Sequence, residues 1–194
     1  MTHPRCRKKY SLEGTFSAIV LNGVSRKLIY QLKYRPYLTD LRQIAGDFMF
    51  ESFSQNEEFQ RILRQAQDKL LVCPVPLFAK RERRRGYNQS EILAKEFAKR
   101  FGLPFAGLLK RVRDTKSQVK LDRSKRRENI KNAFALNSEF IRSTSSGHNS
   151  KLRNANIFLV DDVLTTGATL SEAGKVLRKA GANKVWGIAL AKEK

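Results

Sequence analysis

Apolar positions recur along this chain with two different periods. Residues 15–21 (Thr-Phe-Ser-Ala-Ile-Val-Leu) predict a short strand, closed by the turn pair Asn22-Gly23. Helical spacing follows. Leu28, Ile29 and Leu32 share one face. After a break at Pro36, Leu38, Leu41, Ile44, Ala45 and Phe48 share another, and Phe59, Ile62, Leu63 and Ala66 a third. Residues 1–70 therefore predict a mostly helical region with one strand.

From residue 70 the two periods alternate. Leu70-Leu71-Val72-Cys73 predicts a buried strand ended by Pro74 and Pro76. Asn88 can cap a helix that presents Ile92, Leu93 and Phe97 and stops near Gly102, with Glu91 placed for a capping box. Weaker strands are expected at about 106–112 and 133–136, and an exposed loop at 142–151. Ile157-Phe158-Leu159-Val160 has no polar residue, as expected of a strand covered on both faces. A helix at about 168–180 ends at Gly181, and Val185 to Leu190 is the last strand. Strands alternating with helices predict an α/β domain, residues 71–194, with a mainly parallel sheet flanked by helices.

Composition narrows the class. The 194 residues suit one domain, and 41% hydrophobic residues suffice for a core. The longest apolar runs fall far short of the ~20 residues of a membrane helix. The charged first residues have no apolar stretch behind them, so no secretory signal is expected. Two cysteines, Cys6 and Cys73, cannot make a disulfide framework or a four-cysteine zinc site, and a reducing cytoplasm is the expected compartment. Net charge is the outlying quantity, at +21. Residues 1–70 carry 12 basic and 7 acidic side chains, residues 71–194 carry 27 and 11. Such a surface attracts polyanions and phosphorylated ligands, although charge alone does not separate nucleic acid from small phosphates or from plain solubility.

The segment that carries chemistry runs from Val160 to Leu170: Val-Asp-Asp-Val-Leu-Thr-Thr-Gly-Ala-Thr-Leu. An apolar strand leads into two carboxylates, then a threonine-rich loop, then a helix. In parallel α/β sheets ligands bind at the carboxyl ends of strands. Gly167 permits tight curvature, the helix start offers unpaired N–H groups, and Thr165, Thr166 and Thr169 add hydroxyl donors, a cup for a phosphate dianion. Asp161 and Asp162 would repel that phosphate unless they face hydroxyls, and a vicinal diol satisfies a carboxylate twice. The expected ligand is a 5-phosphorylated ribose. The plainer alternative, two acids ending a strand and a threonine capping a helix, does not account for the whole array.

Phe158 to Thr169 resembles the phosphoribosyl-pyrophosphate (PRPP) motif of type I phosphoribosyltransferases. The resemblance implies that Asp161 and Asp162 hold the ribose diol, that Thr165, Thr166, Gly167, Ala168 and Thr169 hold the 5-phosphate, and that one acid helps at the reacting centre. It also implies Mg²⁺, carried by PRPP rather than by direct protein ligands. Pro74-Val75-Pro76-Leu77, Arg81 and Arg85-Gly86-Tyr87-Asn88-Gln89 resemble the ComF branch, named for DNA uptake by competent bacteria. Thr115, Gln118, Leu121, Arg126, Asn129, Ala133-Phe134 and Lys33-Tyr34 fit it as well. ComF proteins often begin with a four-cysteine zinc module. Only Cys6 could belong to one here, so no zinc site is expected.

The basic stretch Lys80 to Gly86 follows a strand end and resembles the pyrophosphate loop, with Val75, Pro76, Arg81 and Arg85 as the matching residues. Fixed guanidinium groups suit pyrophosphate oxygens. Residues 110–131 carry ten basic and three acidic side chains, leave little to bury, and resemble the flexible loop that closes over PRPP. Gln118, Arg126 and Asn129 match there, with Arg126 expected to act at the reacting centre. Cys73 reads as a core residue, Trp186 and Tyr87 as core or cleft residues, and His3 and His148 have no partner that would make a triad or metal site.

Two functions remain. The first is an enzyme that joins a nitrogen nucleophile to C1 of PRPP and releases pyrophosphate, its acceptor read by residues 1–70 as a hood. The second is a non-catalytic module of the same fold that binds single-stranded DNA. The expected partners are PRPP, an acceptor the sequence does not name, single-stranded DNA on the second reading, and a second copy of the chain.

Overall fold

A computed structural model describes residues 10–34, 39–66, 69–115, 123–138 and 152–193. Four parallel strands form the main sheet in the order β1 (Gly14–Val20), β6 (Lys184–Lys192), β5 (Asn156–Leu164), β2 (Leu70–Pro74). Two short antiparallel strands, β3 (Leu109–Arg111) and β4 (Phe134–Leu136), form a second sheet. The helices are α1 (Gly23–Tyr34), α2 (Thr39–Ser54), α3 (Glu57–Ala66), α4 (Ala79–Arg85), α5 (Gln89–Phe101), α6 (Arg123–Ile130) and α7 (Ala168–Lys179). This is the α/β architecture expected, a parallel sheet with helices on its faces.

Each face of the sheet has its own core, because successive strand residues point to opposite sides. Ile157 and Leu159 pack with Leu170, Ala173 and Leu177 of α7 and with β3 and β4. Phe158 and Val160 pack with the helices of the other layer, where Phe53, Phe59 and Phe97 interleave with ring centroids 5.2–6.0 Å apart. Cys73 is fully buried in the first core, where burial pushes its thiol up to about 12. Trp186 is buried in the second, its ring 5.8 Å from that of Phe158.

Several elements differ from the sequence expectation. The strand expected in the hood region, β1, is an edge of the main sheet, paired with β6 from Gly14↔Trp186 to Val20↔Lys192. Helix α2 turns Ala45, Met49 and Phe53 inward and leaves Ile44 and Phe48 exposed. Leu41 and Ala45 of the expected face do reach the core, but the buried stripe then runs through Met49 and Phe53 rather than Ile44 and Phe48, where α5 and β1 pack against the helix. β5 does not stop at Val160. It continues through both acids to Leu164 because β6 offers it Ala189 and Ala191 as pairing partners. The basic stretch 79–85 is a helix, not a loop. Its Lys, Arg and Glu are good helix formers, and Gly86 closes it in the left-handed region at φ 82°. Residues 123–130, expected within a flexible loop, also form a helix. α6 buries Ile130 and rests against α7. Gln118, Cys6, His3, His148 and the loop at 142–151 lie outside the described residues.

Candidate active site

The site forms where β2 stops short of β5. The last β2–β5 pair is Pro74↔Val160, and the Val75 amide then donates to the Val160 carbonyl at 2.8 Å. Proline cannot donate a ladder hydrogen bond, so β2 ends there and β5 runs on alone on that side. The first turn of α5 fills the gap. Asn88 fixes it by accepting from the Ser90 amide at 3.1 Å and donating to the Val75 carbonyl at 3.1 Å. The expected capping box does not close, because the Glu91 side chain turns to Lys95 instead, at 2.7 Å.

That turn delivers Gln89 and Ser90 to the acids. The Ser90 hydroxyl donates to Asp161 Oδ1 at 2.9 Å, and the Asp162 amide donates to the same oxygen at 2.9 Å. No hydrogen bond reaches Asp161 Oδ2 from the described residues. Asp162 is 6% exposed. Its Oδ2 receives Lys33 Nζ at 2.8 Å and Gln89 Nε2 at 3.3 Å. The two acids were expected side by side at an open strand end. Asp161 is half-buried, whereas Asp162 is enclosed and already paired. Removal from water, reinforced by the negative charge of Asp162, pushes the Asp161 carboxyl up to about 7, against its hydrogen bonds and the pull of Lys33.

The threonine loop follows as a strand–turn–helix. Thr165, Thr166 and Gly167 connect β5 to α7, with Gly167 at φ 71° as its N-cap. Thr166 Oγ1 accepts from the Ala168 amide at 3.4 Å, and the Gly167 carbonyl accepts the first helical bond from Ser171 at 2.9 Å. A left-handed residue at a helix start swings the preceding amides round the helix axis, which is the geometry an anion cup needs. Thr165, Thr166 and Thr169 are half-buried and Ala168 is buried beneath them.

The arginines are tethered. Arg81 pairs with Asp114 at 3.3 Å and donates to the Thr115 carbonyl. Arg111 donates to the Thr115 hydroxyl and lies 5.4 Å over the Phe134 ring. Burial and the neighbouring Arg81 lower the Arg111 pKa. Arg85 donates to Gln89 Oε1 at 2.9 Å and sits 5.2 Å over the Tyr34 ring. Arg126 of α6 reaches Glu193 at 3.5 Å, and the Glu193 amide in turn donates to the Leu164 carbonyl at 2.9 Å. α6, which also carries Asn129, therefore lies beside the threonine loop.

The family model for the phosphoribosyl transferase domain matches residues 87–193, which contain the acids, the threonine loop and α5. The chain belongs to this phosphoribosyl transferase family. It is similar to "Competence protein F" of Haemophilus influenzae, with 39% identity over 62% of this chain and 50% of that protein. It is similar to the "DNA utilization protein YhgH" of Salmonella typhi, with 34% identity over 59% of this chain and 45% of that protein. It is also similar to "Competence protein ComFC" of Bacillus subtilis, with 27% identity over 91% of this chain and 63% of that protein. These relatives set this phosphoribosyltransferase-type chain on the ComF branch. The chain spans about half the length of the first two.

Within this phosphoribosyltransferase fold, the structure brings together Asp161, Asp162, the threonine loop and, through Glu193, Arg126. Arg81 and Arg85 lie on one helix, followed by the turn into α5. Sequence reasoning assigned no role to Lys33, Gln89, Ser90 or Arg111. The signal for three of them was present in Lys33-Tyr34 and Arg85-Gly-Tyr-Asn-Gln-Ser90, a polar run too rich in hydrogen-bonding groups for an ordinary helix entry. Tyr87 belongs to the same run, its hydroxyl donating to the Leu32 carbonyl of α1.

Proposed function

We propose that the protein binds Mg²⁺-PRPP and transfers its phosphoribosyl group to a nitrogen nucleophile. The C1–oxygen bond to pyrophosphate breaks, a C1–nitrogen bond forms, and the nitrogen gives up a proton. The observation that supports this reading most is the continuous run of β5, the Asp161-Asp162 pair, the threonine loop with left-handed Gly167, and the start of α7. In the proposed complex the loop amides and threonine hydroxyls take the 5-phosphate. Each hydrogen bond to that charged group contributes about 1.5–3 kcal/mol. The ribose diol uses the oxygen that Asp161 has to spare. A carboxyl with a pKa near neutrality is also suited to accept the nucleophile's proton. Val75 and Pro76 shape the wall next to α4, and Arg81 and Arg85 face the leaving pyrophosphate. Arg126 and Asn129, with Gln118, close over the reacting centre.

Asp161, half-buried and with one oxygen to spare, fits beside a magnesium ion carried on PRPP oxygens, while Asp162 stays with Lys33. Bound there, it would neutralise pyrophosphate charge. The test is a screen of free bases with PRPP and Mg²⁺, reading pyrophosphate release. Release with one base and none without it supports transfer. No release with any base, together with no PRPP binding, refutes it.

The names of the relatives and the basic surface favour a second reading, a module for single-stranded DNA in competence. Lys125 and Lys131, with Lys116 and Lys120 outside the described residues, would supply its phosphate contacts. Each phosphate neutralised on a single strand adds about 0.7 to the salt slope of log affinity, so changing all four to Gln flattens it by up to ~3 units. Failure of the unmodified protein to bind single-stranded DNA at low salt removes this reading.

A further inference from the structure

Arg85, Gln89, Asp162 and Lys33 form one continuous chain of polar contacts. Arg85 Nη1 donates to Gln89 Oε1 at 2.9 Å, Gln89 Nε2 donates to Asp162 Oδ2 at 3.3 Å, and Lys33 Nζ meets that same oxygen at 2.8 Å. Gln89 and Asp162 are each 6% exposed. The chain joins four separate elements: α4, whose arginines the proposed complex assigns to pyrophosphate, α5, which begins at Gln89, β5 with its acids, and α1 from the N-terminal region. Tyr87 and Arg85 add two more ties to α1, through the Leu32 carbonyl and the Tyr34 ring.

The middle position needs a glutamine. One end must accept from a guanidinium and the other must donate to a carboxylate, and an amide does both. Glutamate would set a second acceptor against Asp162. Methionine would fill the same space with neither group. In a buried network, each bond fixes the geometry of the next.

We infer that Gln89 is a positioning residue of this site: it aims the Asp162 carboxylate at Lys33 and links it to Arg85, so that the ribose side, the pyrophosphate side and α1 move as one unit. This rests on the proposed PRPP reading for its effect on ligand binding, and on the ligand-free contacts alone for its effect on α1.

The experiment therefore has two arms. In the first, Mg²⁺-PRPP affinity is measured for the unmodified protein, Gln89→Met, Gln89→Glu, Arg85→Met and the double variant Gln89→Met/Arg85→Met. A bond to a charged group corresponds to about tenfold or more in an equilibrium constant, so each Gln89 variant should bind at least about tenfold more weakly. The double variant should lose less than the product of its two single losses, because both break the same chain. In the second arm, hydrogen exchange of the ligand-free proteins is compared. The last turn of α1 should exchange faster in Gln89→Met, with α7 unchanged. Should Gln89→Met not fold, Gln89→Glu, which keeps the side-chain shape, carries both arms. Unchanged affinity together with unchanged α1 exchange would make Gln89 a space-filling residue and overturn the inference. If the unmodified protein fails to bind Mg²⁺-PRPP, the functional reading falls, and α1 exchange alone decides the role of Gln89.

Discussion

Replacing Asp161 by Asn should stabilise the ligand-free protein, and by an amount that depends on pH. The Asp161 carboxyl stands at about 7 in the folded protein against 3.8 for an ordinary aspartate. The charged groups around it are Asp162 on its own strand, Lys33 from α1 and Arg111 from β3, with Ser90 donating from α5. Below about pH 4 the group is protonated in both folded and unfolded chains and contributes no difference. As pH rises, the unfolded chain releases its proton first while the folded one still holds it. Stability is therefore lost between about pH 4 and pH 7, and the full penalty persists above that. At 1.36 kcal/mol per unit the shift corresponds to at most about 4 kcal/mol. Water at the half-buried side chain and the coupling to Asp162 reduce this to about 1–2 kcal/mol. Asn keeps an oxygen to accept from Ser90 and the Asp162 amide, and Lys33 keeps Asp162, so little is lost in exchange. For a domain of this size the gain corresponds to a rise in Tm of about 2–8 °C. Thermal and urea unfolding of both proteins at pH 4, 6 and 8 measure it. The difference should be near zero at pH 4 and largest at pH 8. A variant less stable than the parent at pH 8, or a difference independent of pH, would refute the reasoning.

Gly167→Val should cost about 1–2 kcal/mol in the ligand-free protein through its φ of 71° and abolish the thermal shift with Mg²⁺-PRPP; a surviving shift would exclude the loop as the phosphate cup. Asn88→Ala removes a buried cap and leaves the Val75 carbonyl without its donor, so urea unfolding should show a loss of about 2–4 kcal/mol, and a loss below about 0.5 kcal/mol would contradict it. The amides of α6 should gain hydrogen-exchange protection on binding Mg²⁺-PRPP, because α6 lies beside the threonine loop through Arg126 and Glu193; equal protection with and without ligand would remove α6 from closure.

The sequence by itself determined what local chemistry determines. The run Ile157–Val160 had to be covered on both faces, Gly167 marked the left-handed turn into α7, and Pro74 marked the end of β2. Those residues act through their own backbone angles or their own burial, so no distant partner is needed to read them. Tertiary structure alone decided that Met49 and Phe53 of α2 went inward while Ile44 and Phe48 stayed exposed, since that depends on the shape of α5 and β1. It decided that β5 continues through two carboxylates, because the small side chains of Ala189 and Ala191 on β6 are 28 positions away from the acids they pair with or near. Above all it decided the charge state of the site. Lys33, Gln89, Ser90 and Asp162 come from three elements, and the burial and distances that govern their electrostatics exist only once α1, α5 and β5 have packed together.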